Sequence, residues 1–196
     1  IINGRRSLQP PDRKAYRTVY QQIFKSATES TLMKKYHELG TAMNVLPLNE
    51  VGALPTRNLQ SGSFESAETI SGEHLAERYL GRRVACAHCP VACIHLASLR
   101  TPYPNDPYFY KTQLVAYDHE LIYAIGSMLG IGETAQMLAI FDELDALGID
   151  AISAGVSLAW ATEAMQRGLI TTKETAGLPL AFGDGLTYRK ALPHIA

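Results

Sequence analysis

The 196 residues carry 18 Lys and Arg against 19 Asp and Glu, so no basic face argues for a nucleic-acid partner. No apolar run reaches the roughly 18 residues of a membrane span, and no charged stretch followed by an apolar core marks an export signal. The length suits one large domain or two small ones with a real core, and clustered cysteines favour a reducing compartment, with the cytoplasm as the expectation.

Pro10-Pro11-Asp12 opens a helix along which Tyr16, Val19, Tyr20, Ile23 and Phe24 fall on one face. Ser30 caps a second helix that runs to Leu39, and Gly40 closes it. Residues 41–70 hold no sustained period: Pro47, Gly52, Pro55 and Gly62 break it, and loop-rich chain is expected. Within this stretch Arg57 is suited to a phosphate or a carboxylate, or to plain solvent. Ser71 caps the next helix, which has Glu73 in its first turn and ends near Leu80. Arg82 and Arg83 follow.

Cys86-x-x-Cys89-x-x-x-Cys93 then holds all three cysteines of the chain. Thiolates at this spacing serve iron–sulfur clusters and structural zinc sites. Cys86 and Cys89 can share a tight loop, and Cys93 lies one helical turn further on, so the sulfurs can converge. Three thiolates are one short of a [4Fe–4S] set, so a fourth ligand is missing, replaced or supplied elsewhere. Arg82 and Arg83 can offset the negative charge of a cluster, or form an ordinary charged junction. The plain alternative for the cysteines themselves is a buried core role.

Residues 94–99 continue as helix or strand, and the prolines of 101–107 exclude regular structure there. Residues 118–130 read as an apolar helix with Leu121, Ile122, Ile125 and Leu129 inward. Residues 133–147 form an amphipathic helix with Leu138, Phe141 and Leu144 on a face, and 152–167 an Ala-rich one carrying Trp160. Residues 171–174 suggest a turn leading into helix, and the tail from Gly177 reads as loop. No strand alternation stands out, so the expected fold class is mainly α.

Between the last two long helices lies Asp145-x-x-Gly148-Ile149-Asp150. Gly148 suits the end of one helix and Asp150 the N-cap of the next. The same corner offers two carboxylates and free backbone N–H groups, and a carboxylate there can accept from the N–H donors of a heterocycle. Both accounts stay open on the pattern alone. His37, His74 and His194 are scattered and read as surface or satisfied core residues.

Further phrases accompany these motifs: Gly52-Ala53-Leu54-Pro55-Thr56-Arg57-Asn58, Ile70-Ser71-Gly72-Glu73, and Glu120 followed by Gly126-Ser127-Met128-Leu129-Gly130-Ile131. In this order, and over most of the chain, they resemble the aldehyde:ferredoxin oxidoreductase family of tungsten enzymes. The resemblance implies that residues 1–196 are the middle, helical domain, binding cluster and pterin, of a longer chain. A β-rich domain before it and a further helical domain after it would lie outside. The start at Ile1 without an initiator Met, and the end at Ala196 without a closing element, agree with a segment.

The family holds tungsten (or molybdenum) between two pyranopterins beside a [4Fe–4S] cluster. By resemblance Cys86, Cys89 and Cys93 are three cluster ligands, and the family's fourth cysteine lies far downstream. Asp145, Gly148, Ile149 and Asp150 match a pterin-contacting corner. Glu120 matches a glutamate near the metal, a candidate for proton transfer, with His119 beside it as a second group. Ala139-Ile140-Phe141-Asp142 stands where some members carry Glu-x-x-His, so the subunit-bridging metal of those members is not expected.

The implied activity is oxidation of aldehydes to carboxylic acids, with electrons passing through the cluster to ferredoxin or a partner subunit. The chain alone is expected to be inactive, and a homo-oligomer stays open. Reduction of an aromatic acyl-CoA thioester (benzoyl-CoA type) by a relative with the same cofactor shell is the alternative within enzymes. A non-catalytic zinc-binding helical domain, with His95 or, less well, His88 as fourth ligand, is the alternative of another class.

Overall fold

A computed structural model describes residues 9–196; the chain start at Ile1 lies outside the described residues. Asp12 caps α1 (Arg13–Glu29), accepting from the backbone N–H groups of Lys14 and Ala15. No α1 residue is buried, and Tyr16, Val19, Ile23 and Phe24 leave its apolar face open. Ser30 caps α2 (Thr31–Leu39), and Gly40 ends it with a φ of 63° that favours glycine. Both helix starts follow the sequence expectation.

The stretch expected to be loop-rich contains more order. A 3-10 turn over Gly40–Asn44 leads into α3 (Val45–Glu50), and a second 3-10 turn over Glu68–Ile70 precedes α4 (Gly72–Arg78). Short elements of this kind carry little periodicity, so breakers dominate the sequence signal. Ala42, Val45, Leu54, Phe64 and Ile70 from this stretch are buried in the core.

The largest correction concerns strands. β1 (Leu80–Val84), β2 (Ile94–Tyr103) and β3 (Asp106–Tyr117) form an antiparallel sheet in the order β1-β2-β3. The buried alternate positions of β2 are His95, Ala97 and Leu99, a face of mixed polarity that gives a weak period-two signal. Pro102 sits at the free end of the hairpin, where a missing N–H costs least.

Asp118 caps a short α5 (His119–Leu121) that runs into a π-helical turn over Ile122–Ser127, where a regular apolar helix was expected. α6 (Thr134–Leu147) and α7 (Ala151–Gln166) match their expected bounds closely. Gly155 of α7 lies so close to the π-helical turn that an added Cβ would collide with the Ala124 carbonyl. Small-residue contact of this kind lets two backbones meet directly. The tail expected as loop contains α8 (Gly185–Ala191), capped by Asp184. Its Tyr188 is fully buried and pairs its hydroxyl with Thr162 at 2.9 Å.

The core runs between the sheet and the C-terminal helices through Ile125, Leu129, Met137, Leu138 and Ile140, each at 0% exposure. Burial of such a side chain is worth about 1.5–3 kcal/mol. The sheet, α5 and the α6–α7 corner are thereby fixed relative to one another. The fold is mainly α with a small sheet. No single helix among the described residues is long and apolar enough to cross a membrane.

Candidate functional site

The three cysteines occupy the loop between β1 and β2. The Cys89 N–H donates to the Cys86 carbonyl at 3.0 Å, closing a turn, and His88 and Ala92 take left-handed φ values of 61° and 52°. All three thiols are free; Cys86 is exposed, and Cys89 and Cys93 are half-buried. That exposure overturns the buried-core alternative.

The mouth of the loop is tied to the end of α2. Arg83 Nε donates to the His37 carbonyl at 2.8 Å, and His95 Nε2 donates to the same oxygen at 2.9 Å. The Arg83 guanidinium thus faces backbone carbonyls at a helix C-terminus, a favourable place for a cation. A Cβ on Gly40 would sit 3.1 Å from the Cys93 carbonyl oxygen, so helix end and loop end touch.

Among the described residues, no three His, Cys, Asp or Glu side chains are arranged to hold a metal ion. His95 has both ring nitrogens engaged: Nε2 on His37, and Nδ1 3.4 Å from the Tyr117 hydroxyl. Burial lowers the His95 pKa, and the two contacts fix the neutral tautomer with the proton on Nε2. Burial also pushes the Tyr117 hydroxyl up to about 12.

Next along β3 comes the stretch Tyr117-Asp118-His119-Glu120. Asp118 is half-buried and its Oδ1 accepts from the Leu121 N–H at 2.9 Å. Burial raises its pKa, with the bond from Leu121 opposing. The backbone N–H of His119 donates to Thr41 Oγ1 at 2.9 Å, and its ring lies 5.6 Å from that of Tyr123. His119 Nδ1 is buried and makes no hydrogen bond within the described residues, and burial lowers the ring's pKa. Glu120 is exposed. Adjacent helix positions do not share a face, so the two side chains leave the turn in different directions.

At the α6–α7 corner, Gly148 takes a left-handed φ of 71°, and the Ile149 N–H returns to the Leu144 carbonyl at 3.0 Å. Asp150 caps α7, accepting from the Ser153 N–H at 2.7 Å, and hydrogen bonding from Ser153 holds its carboxyl below the usual range. The capping account of this corner is therefore correct as structure. Asp145 is exposed and its carboxylate makes no hydrogen bond or ion pair within the described residues; Ile149 is half-buried.

The fold brings these pieces to one end of the sheet. His95 pairs with Tyr117 at the end of the β2–β3 ladder, with Cys93 two residues before the one and His119 two residues after the other. Gly40 and Thr41 bridge them, the first against Cys93 and the second bonded to His119. α5 contacts α7, which starts at the Asp150 cap. A cleft of about 280 Å³ is lined by Leu96 of β2, Leu121 of α5, and Phe141 and Asp145 of α6.

Sequence reasoning missed His37, Thr41 and Asp118. Asp118, three residues ahead of an apolar helix residue, carried a readable capping signal; His37 carried none. Arg57 does meet a carboxylate. Its guanidinium pairs with Glu65, with Nη1 to Oε2 at 3.0 Å, and lies 5.6 Å from the Phe64 ring centroid. The turn Arg57-Asn58-Leu59 has φ values of 45°, 55° and 65° in succession, and Asn58 bonds Glu163.

The profile of the family described as "Aldehyde ferredoxin oxidoreductase, domains 2 & 3" matches residues 18–196. The tungsten-containing aldehyde ferredoxin oxidoreductase of Pyrococcus abyssi is 32% identical over 188 residues, covering 94% of this chain and 30% of the relative. The protein of the same name from Thermococcus kodakarensis is 36% identical over 140 residues, 71% of this chain and 22% of the relative. The aliphatic sulfonate oxidoreductase, WOR-like subunit, of Pyrococcus furiosus is 30% identical over 184 residues, 92% of this chain and 28% of the relative. The chain thus spans less than a third of the length of each. By the profile match and by these identities, the chain belongs to the aldehyde ferredoxin oxidoreductase family.

Proposed function

We propose that residues 1–196 are the helical cluster- and pterin-binding part of a tungsten-dependent oxidoreductase that converts aldehydes to carboxylic acids inside the cell. The observation that carries the reading is the link of the cysteine loop to the His119–Glu120 turn through Gly40 and Thr41, beside a cleft that Leu121 and Asp145 line. The relatives' names support the metal and the reaction class.

Cys86, Cys89 and Cys93 would hold a [4Fe–4S] cluster as thiolates, with the fourth ligand outside these residues. Asp145, Gly148, Ile149 and Asp150 would hold one pterin edge. Asp150 is kept ionised by Ser153 and can accept a charge-assisted bond on its remaining lone pairs. The chemistry supplied by a bound tungsten–pterin group is acceptance of the two electrons released when an aldehyde and water become a carboxylic acid and two protons. Those electrons would leave through the cluster to ferredoxin or a partner subunit.

The chain's own work is on the protons. Glu120, exposed at the start of α5, can take one at its carboxylate. His119 is the second candidate: its Nδ1 is buried without a partner among the described residues, and burial, which opposes a charged ring, makes it a weaker base than a free imidazole. Asp118 orients both by capping the turn that carries them.

The test is an anaerobic purification of the polypeptide that carries these residues, from cells supplied with tungstate. Aldehyde-dependent viologen reduction, with tungsten in the preparation and a large loss of rate in Glu120→Gln, is expected. Tungsten present with no turnover of any aldehyde, and turnover of an aryl thioester, would assign the alternative reaction.

A further inference from the structure

We propose that His37 is a positioning residue for the three-cysteine loop, its Nδ1–H holding the Val91 carbonyl midway between Cys89 and Cys93. The proposal deepens the cluster reading above and rests on it for its consequence, though not for its geometry.

His37 lies on the last turn of α2, far in sequence from everything it organises. Its own carbonyl accepts from Arg83 and His95, and these two are a directly paired couple across β1 and β2. One backbone oxygen therefore fixes the mouth of the loop from both strands. Beyond the mouth the support is sparse. The Cys86–Cys89 turn closes itself, but Pro90 has no N–H to give, and Ala92 is held in a left-handed conformation. Among the described residues, the side-chain hydrogen bond to residues 90–92 is the 2.7 Å bond from His37 Nδ1 to the Val91 oxygen.

The chemistry of that bond fixes its direction. A carbonyl only accepts, so Nδ1 carries the proton, which both the neutral Nδ1–H tautomer and the imidazolium satisfy. The tether therefore holds whatever the charge of the ring. Packing does not duplicate it: His37, Pro90 and Val91 line an open cleft of about 240 Å³ against the end of α1. Val91 stands two residues from each flanking thiol, so moving its carbonyl changes the spacing of Cys89 and Cys93 directly. Spacing of the thiolates, in turn, is what a cluster reads through its bond geometry and spectrum.

Two variants separate position from stability. His37→Asn keeps a donor where Nδ1 stands, and His37→Leu keeps bulk without one. The first measurement is the iodoacetamide alkylation rate of each of these cysteines in the metal-free polypeptide that carries residues 1–196, followed by mass spectrometry. In His37→Leu, Cys89 and Cys93 should react about fivefold faster, the change expected from losing one ordinary hydrogen bond, while exposed Cys86 keeps its rate. His37→Asn should stay within about twofold of the parent. The second measurement supplies ferrous iron and sulfide without oxygen and records the electron paramagnetic resonance of the reduced protein. A signal shifted or broadened in His37→Leu and restored in His37→Asn is expected.

Equal rates at Cys89 and Cys93 in parent and His37→Leu would overturn the proposal. So would a common rise at all three cysteines with a lowered melting temperature. If the alkylation pattern holds but no variant takes up iron, the positioning stands and the cluster reading fails.

Discussion

Gly155 rests directly against the Ala124 carbonyl, and this contact joins the helix that starts at Asp150 to the π-helical turn that follows Glu120. No side chain fits there. Gly155→Ala should therefore force the two elements apart and cost about 1–3 kcal/mol, although alanine favours a helix elsewhere. A urea unfolding midpoint checks it; an unchanged or raised midpoint would mean that the contact is not as close as described.

Asp118 and His119 give stability a pH dependence of opposite signs. Burial raises the Asp118 pKa above its unfolded value, so its contribution is complete below about 4 and is lost as pH rises through the folded value. Burial lowers the His119 pKa, so its contribution is present above about 6.5 and is lost as pH falls through the folded value. Asp118→Asn retains a good N-cap and removes the charge. Its unfolding midpoint should decline less than the parent's as pH rises through the carboxylate range. Parallel curves for the two proteins would contradict the assigned burial.

Leu59 is 71% exposed yet holds a φ of 65°. Its side chain contributes little and its backbone is strained. Leu59→Gly should match or exceed the parent in stability, by about 0.5 kcal/mol after glycine's entropic cost. Leu59→Val should lose about 1 kcal/mol, because a β-branched residue fits this conformation worse. Thermal melts of the pair decide it, and the reverse order would argue against the left-handed turn.

Tyr188 and Thr162 share a buried hydrogen bond, and Thr162 Oγ1 also bonds the Leu158 carbonyl at 2.7 Å. Thr162 therefore keeps a partner in Tyr188→Phe, which should cost only about 0.5–1.5 kcal/mol. Tyr188→Ala also opens a cavity and should cost about 3–5 kcal/mol. Equal losses in the two would show that the hydroxyl, and not the ring, holds α8 in place.

The parts of the fold that were legible in sequence are those where caps and periodicity agree. Asp12, Ser30, Ser71 and Asp150 each stood at a helix start and each caps one. Strands failed the same test because the inward face of β2 presents His95 and Ala97 beside Leu99, a pattern that burial explains and hydrophobicity hides. α8 was lost among Gly177, Pro179, Gly183 and Gly185, whose breaker signals outweigh a helix of 7 residues. The cysteine loop and the Asp145–Asp150 corner were visible as motifs. The link from the cysteine loop to the His119 turn was not, since it depends on Gly40 against Cys93 and Thr41 bonded to His119, which no local pattern announces.

Metal analysis with a visible spectrum decides whether Cys86, Cys89 and Cys93 hold an iron–sulfur cluster. The chain should be prepared without oxygen, supplied with ferrous iron, sulfide and an external thiol, and compared with Cys89→Ser. A brown protein with about four irons per chain and a broad visible absorption that Cys89→Ser loses is expected. A colourless protein with about one zinc per chain and no iron, in both the short chain and the polypeptide that carries it, would rule out the cluster and leave a structural metal domain.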